Sequence, residues 1–209
     1  MCLLVPTKKG ISVKEWQRIE VVEKDAPAAT FEPIELSSLA YQICKTLVSM
    51  RPDHVLIERQ RHRTGGASAI LEWTIRVNTF EAMIHAILHT LIQESKWSGR
   101  IESVHPKRIS DYWIHNRAEK STSHELKLQK IGIVTEMIRK RSSNILFEGC
   151  AQETVEVFVG RPKGKRDDIA DSFLQGITWI RWQQAKLRVK ARLKKGEQVS
   201  ANELSALLK

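Results

Sequence analysis

Val55-Leu56-Ile57-Glu58-Arg59-Gln60-Arg61-His62-Arg63 carries an apolar run into a basic stretch, with one carboxylate at the join. His54–Glu58 reads as a buried strand that ends on its acid. Arg59–Ser68 then reads as a loop holding Gly65-Gly66, in which Arg59, Arg61 and Arg63 alternate with Gln60 and His62. In an extended segment that alternation puts the guanidiniums on one side, facing phosphates. A strand-end acid beside such cations suits a metal-dependent nuclease. The acid holds a divalent cation while the arginines hold the flanking phosphates. A solvated rim glutamate and a solvated basic loop are the plainer reading of the same residues.

Working outward, a second acidic cluster stands in Lys165-Arg166-Asp167-Asp168-Ile169-Ala170-Asp171-Ser172, behind Lys163, and opens a helical pattern. Asp168 and Asp171 are three apart, Asp167 and Asp171 four apart, so each pair shares a helix face. Clustered carboxylate oxygens are what Mg²⁺ or Mn²⁺ takes. The competing reading is local. Acids in a first helical turn gain about 0.3–1 kcal/mol from the helix dipole, and Asp167 could simply be the N-cap. Glu58 and the acidic helix start together read as a nucleic-acid phosphodiesterase, one carboxylate short of a full set.

Composition agrees with that class. Thirty-four Lys and Arg against 24 Asp and Glu leave a net charge of +10, and a pI near 9.7 points to a polyanionic partner. The 209 residues suit one α/β domain over 1–195, with a tail over 196–209. Cys2, Cys44 and Cys150 lack metal-ligand spacing and read as free or buried thiols in a reducing compartment. No apolar run approaches transmembrane length. Met1-Cys2-Leu3-Leu4-Val5 is too short for a signal peptide, and no transit peptide is visible.

Two short strands, Met1–Val5 and Ile11–Ile19, flank the turn Pro6–Gly10. Leu36, Leu39, Ile43, Leu47 and Met50 give a first helix. Trp73 through Leu91 gives a long second one with a single apolar stripe. Ile101–Val104 reads as a strand, Ser110–Asn116 as a turn of helix, and Glu125–Arg139 as another amphipathic helix. Thr154–Val159 alternates weakly and reads as a strand or hairpin. Asp168–Leu187 is a helix, and the capping box Ser200-Ala201-Asn202-Glu203 predicts a last short helix over Ala201–Leu208. Trp73, Trp179 and Trp182 fall on or near apolar stripes and read as core, with Trp73 kept open as a base-stacking platform. His54, His85 and His89 are assigned no chemistry.

Three segments carry a resemblance: Ile57–Gly65, Glu72-Trp73-Thr74-Ile75-Arg76-Val77-Asn78, and Arg166–Ser172. Fainter echoes are His105-Pro106-Lys107 with Tyr112-Trp113, and Trp179–Gln183. The chain resembles the fungal mitochondrial Holliday-junction resolvases from about Ile11 to Gln184. These are cruciform-cutting endonucleases related to bacterial RuvC, with a ribonuclease H-like mixed sheet flanked by helices. The resemblance implies a mitochondrial homodimer that binds four-way junction DNA and nicks two opposed strands. It implies Mg²⁺ or Mn²⁺ at four carboxylates, with no small-molecule cofactor and no membrane. By resemblance the catalytic and metal residues are Glu58, Asp168 and Asp171, with Asp167 the alternative to Asp168. The DNA-binding set is Arg59, Gln60, Arg61, Arg63, Arg76, Lys107, Lys163, Lys165 and Arg166.

The family's remaining carboxylate is an Asp on the first, central strand, ahead of the position where this chain begins. The chain is therefore expected to show a vacancy in its sheet and carboxylates whose pKa values are raised by mutual repulsion. The alternative function is a catalytically silent relative that binds branched DNA or RNA.

Overall fold

The computed structural model describes residues 1–21, 31–60, 70–114, 122–140, 144–160 and 166–200. The predicted helix at Ala201–Leu208 lies outside them. The architecture is mixed α/β: β1 (Cys2–Thr7), β2 (Gly10–Trp16), α1 (Pro33–Ser49), β3 (His54–Glu58), α2 (Glu72–Gln93), β4 (Arg100–Val104), α3 (Pro106–Trp113), α4 (Ser123–Arg139), β5 (Ile145–Phe147), α5 (Cys150–Gly160) and α6 (Asp167–Lys194). Where the sequence suggests one domain over 1–195, the chain divides into two compact units. The first is Met1–Ile19 with Pro106–Lys209, the second Glu20–His105.

In the first unit β1 and β2 form an antiparallel hairpin, and β5 adds to β2 in parallel. The turn closes tightly on Gly10, whose φ of +147° suits a residue without Cβ. A Cβ there would lie 2.0 Å from the Asn144 carbonyl oxygen, beside which β5 begins. A bulge between Leu3 and Leu4 kinks the hairpin. Against it packs α6, with Ala170, Phe173, Leu174, Ile177 and Thr178 fully buried. The approach is close: a Cβ on Gly176 would come within 2.5 Å of Leu4 Cδ1.

Trp16 is the centre of this core. It is fully buried, with ring centroids 5.5 Å from Phe147, 5.0 Å from Phe158 and 5.3 Å from Phe173. Its indole N–H donates to the Ile169 carbonyl at 2.9 Å. One aromatic residue thus joins β2, β5 and α5 to the first turn of α6.

The second unit is a two-stranded parallel sheet, β3 beside β4, with α1 and α2. The register pairs His54 with Arg100 and Glu58 with Val104. Cys44, Val55, Leu88, Leu91 and Trp97 form its core, and Trp97 donates its indole N–H to the Pro52 carbonyl at 2.9 Å. Burial pushes the Cys44 thiol up to about 11, so it packs as a small apolar group. All three cysteines are free.

Two expectations are corrected. Thr154–Val159 is helix, part of α5, because Ala151 and Phe158 are buried one helical face apart, and that packing overrides β-branched alternation. Trp73 is 65% exposed and outside the core, whereas Trp182 is buried. The strand β5 has only three residues, too few to display a period.

Among the described residues, no ladder joins the two sheets: β1 pairs only with β2, and β3 only with β4. Each therefore has one edge without a strand partner among the described residues.

Candidate functional site

The acids of the first unit stand at the start of α6. Arg166 occupies the N-cap and Asp167 follows within the first turn, which corrects the reading of Asp167 as the cap. The Arg166 guanidinium is turned inward. It donates to the Phe158 carbonyl at 3.0 Å and lies 5.6 Å from the centre of that ring. Helix α4 lays two lysines along the acidic turn. Lys127 Nζ meets Asp167 Oδ2 at 2.6 Å and Lys130 Nζ meets Asp171 Oδ1 at 2.6 Å. The Lys130 side chain is 11% exposed and that of Asp171 27%; Asp168, between them in sequence, is exposed.

Helix α4 itself starts from a capping box. Thr122 accepts the Glu125 N–H at 3.2 Å, and the Glu125 carboxylate accepts the Thr122 N–H at 2.8 Å.

At Asp167 the neighbouring lysine reverses the expected direction of titration. Burial alone would push the Asp167 carboxyl up, yet the Lys127 hydrogen bond and charge hold it below the ordinary carboxylate value. The same hydrogen bond raises the Lys127 ammonium. Repulsion among the acids is offset by ammonium groups that sequence reading did not single out. Their only signal was a pair of lysines three apart on an amphipathic helix.

Glu58 ends β3 in the second unit, partly buried. The chain leaving it is held at two points. Arg59 N–H donates to the Val104 carbonyl at 2.9 Å, and Gln60 N–H donates to Glu81 Oε2 at 2.9 Å. Glu81 thus comes from α2 to fix the exit of the strand. Around it, Arg59, Gln60, Asn78, Glu81, His85 and Ser103 line an open pocket of about 360 Å³. His85 Nε2 is 3.3 Å from Ser103 Oγ and 4.0 Å from Glu81 Oε1. Hydroxyl and carboxylate crowd one ring nitrogen, whereas a nucleophile–base–acid relay needs both nitrogens.

Arg59 and Lys107 are exposed. Arg76 is paired with Glu72 and stacked 3.8 Å over the Phe31 ring. Arg61, Arg63, Lys163 and Lys165 lie outside the described residues.

Among the described residues, no three His, Cys, Asp or Glu side chains are gathered as one metal ion would need. Asp168 and Asp171, one turn apart in the first unit, fit a cation such as Mg²⁺ that binds through one or two carboxylates and keeps several waters. Glu58 belongs to the second unit.

Residues 4–189 match the family described as mitochondrial resolvase Ydc2 / RNA splicing MRS1. The chain belongs to this family. Two curated relatives are both described as mitochondrial cruciform cutting endonuclease 1. The one from Schizosaccharomyces pombe is 35% identical over 73% of this chain and 60% of its own length. The one from Saccharomyces cerevisiae is 27% identical over 81% of this chain and 61% of its own. The chain therefore spans about three fifths of these relatives. A crystal structure of the yeast mitochondrial Holliday junction resolvase Ydc2 superposes with a TM-score of 0.65 at 29% identity, covering 88% of this chain and 73% of that one. Glu58, Asp167, Asp168 and Asp171 all fall within the span matched to the Ydc2/MRS1 family. No helix among the described residues is long and apolar enough to cross a membrane.

Proposed function

We propose that the chain is the catalytic portion of a metal-dependent endonuclease that resolves four-way DNA junctions. Its fold is of the ribonuclease H type. The observation that carries the reading is the acidic first turn of α6, pinned by Trp16 and flanked by Lys127 and Lys130, inside a span that matches a resolvase family.

In this reading Asp168 and Asp171 would take Mg²⁺ or Mn²⁺, and Asp167 is neutralised by Lys127. When bound, such a cation activates water and stabilises the leaving oxygen of an in-line displacement. The chain's own residues do the rest. Trp16 fixes the pitch of the acidic turn and Lys130 orients the Asp171 carboxylate. Glu81 holds the backbone that follows Glu58, and Arg59 and Lys107 hold phosphates. Two copies related by a two-fold axis would present equivalent sites to two opposed strands. Relatives named as mitochondrial support that compartment for this protein.

A second reading is favoured by the splicing proteins in the family description and by the lack of a three-acid cluster among the described residues. In it the chain binds branched nucleic acid without cutting.

Competition binding separates specific from general binding. The chain should prefer a four-way junction to a linear duplex of the same sequence at matched salt. Equal affinity would overturn both readings in favour of a general nucleic-acid binder. Added Mg²⁺ then divides the two: cutting of paired strands, abolished by Asp168→Asn with junction binding intact, is expected of the endonuclease. Junction binding with no cutting at any Mg²⁺ concentration is what the second reading requires.

A further inference from the structure

The pocket beside Glu58 has a composition that metal and phosphate chemistry leave unused. Gln60 and Asn78 bring carboxamides, His85 an imidazole, Ser103 a hydroxyl and Glu81 a carboxylate. It opens where the two parallel strands end at Glu58 and Val104, and carboxyl ends of parallel strands are where open α/β sheets place ligands. Its volume of about 360 Å³ lies near the low end of the roughly 300–1,000 Å³ of ligand pockets. That is room for one planar ring system.

Glu81 decides what can enter. Its side chain is 16% exposed, and Oε2 already accepts the Gln60 backbone N–H, so the carboxylate is fixed in place facing the pocket. A phosphate entering there would meet a fixed negative charge. A neutral ring with an amino group would meet an acceptor. Carboxylates accept from the cytosine 4-amino group, and Gln or Asn carboxamides pair with the adenine edge. Arg59, at the rim and exposed, is left for the backbone phosphate of the same nucleotide.

The geometry points to a pocket for one unpaired nucleobase bearing an exocyclic amine (adenine, cytosine or guanine, and not thymine), read by Glu81 and Gln60 two residues beyond the strand-end acid. This rests on the junction-binding reading. It makes the second unit the place where a splayed nucleotide at the branch point is recognised. Gln60 serves twice: its backbone N–H holds Glu81, and its side chain lines the pocket while donating to the Glu58 carbonyl at 3.4 Å.

The test measures affinity in EDTA, so that no cutting intervenes. The probes are four-way junctions with a single unpaired A, C, G or T at the branch point. The chain should bind the A, C and G junctions about tenfold more tightly than the T junction, within the usual range for one paired base edge. Glu81→Gln is the informative variant. Its carbonyl can still accept the Gln60 N–H, so its amide presents a donor and preference should turn toward T, which offers carbonyl acceptors and no amino group. A role confined to holding the loop would not invert a base preference. Gln60→Ala should flatten the preference while its thermal midpoint stays near that of the parent; should it unfold, Ser103→Ala takes its place.

Equal affinity for all four junctions, or a Glu81→Gln protein with the parental preference, overturns the inference. The resolvase reading fails separately. If junctions are bound no better than linear duplex while single-stranded oligonucleotides still show the preference against T, the pocket stands and the junction reading falls.

Discussion

At the scale of single residues, the acids were legible and their partners were not. Asp168 and Asp171 stand out because carboxylates behind a basic run violate the expectation of a plain solvated surface. Lys130 does not stand out, since a lysine on an amphipathic helix reads as solvent face and its partner is 41 positions away. Yet Lys130 is nearly buried against Asp171, with its ammonium 2.6 Å from the carboxylate. Breaking a fully buried pair costs about 3–5 kcal/mol, and the 27% exposure of Asp171 lowers that. Lys130→Met keeps the aliphatic stem and removes the charge. It should cost about 1–3 kcal/mol in urea unfolding, and an unchanged midpoint would show the pair to be idle. Asp167 gives a pH signature. Its folded carboxyl is depressed, so its contribution is present above the unfolded value near ~3.9 and is lost as pH falls through the folded value. Asp167→Asn should flatten the acid limb of stability below about pH 4. Parallel limbs for parent and variant between pH 2 and 6 would refute that.

At the scale of elements, long periodic helices were readable and short or strongly packed pieces were not. The stripes of α2 and α6 each run over many turns, so period alone places both ends of α2 and the start of α6, although α6 continues to Lys194, past the expected end at Leu187. The strand β5 has three residues and exists because β2 offers a ladder edge, which is information from elsewhere in the chain. Helix α5 was misread for a related reason. Its valines alternate, but Phe158 must reach Trp16, and only the helix brings Ala151 and Phe158 to one buried side. Trp16 is accordingly the residue on which this unit depends. Trp16→Phe shrinks the ring and removes the indole N–H from the Ile169 carbonyl, which keeps the Ser172 hydroxyl as a donor. It should cost about 1–3 kcal/mol, below the 3–5 kcal/mol of truncation to alanine. Gly132 in α4 is the opposite case: a Cβ there meets nothing within 4 Å. Gly132→Ala should therefore stabilise by about 0.5–1 kcal/mol through helix propensity alone. Both signs can be read from thermal midpoints, and a destabilised Gly132→Ala would mean that α4 packs differently.

At the scale of the molecule, strand types were legible but ladders were not, because hydrophobic pattern identifies a strand without naming its neighbour. The two sheets, with β1 and β3 each paired on one edge, follow from pairing alone. Charge, in contrast, is a whole-chain property readable at once: +10 predicts binding to a polyanion that weakens steeply with salt. The structure refines which cations contribute. Each phosphate neutralised adds about 0.9 to the slope of log affinity against log salt on duplex DNA. Arg59 is exposed at the strand exit, with no ion pair to it among the described residues. Arg76 is already engaged, paired with Glu72 and stacked on Phe31, so giving it to a phosphate would mean dissolving contacts that it now makes. Arg59→Ala should therefore flatten the salt slope for junction DNA by about 0.9 and weaken binding alike across sequences. Arg76→Ala should leave the slope nearly unchanged and instead lower stability by the few tenths to about 1 kcal/mol expected of an exposed helical ion pair with a cation–π contact. Titrations at four or five salt concentrations would measure both. If the Arg76 variant changes the slope as much as the Arg59 variant does, the Glu72 pair opens on binding and Arg76 belongs to the phosphate-contacting set after all.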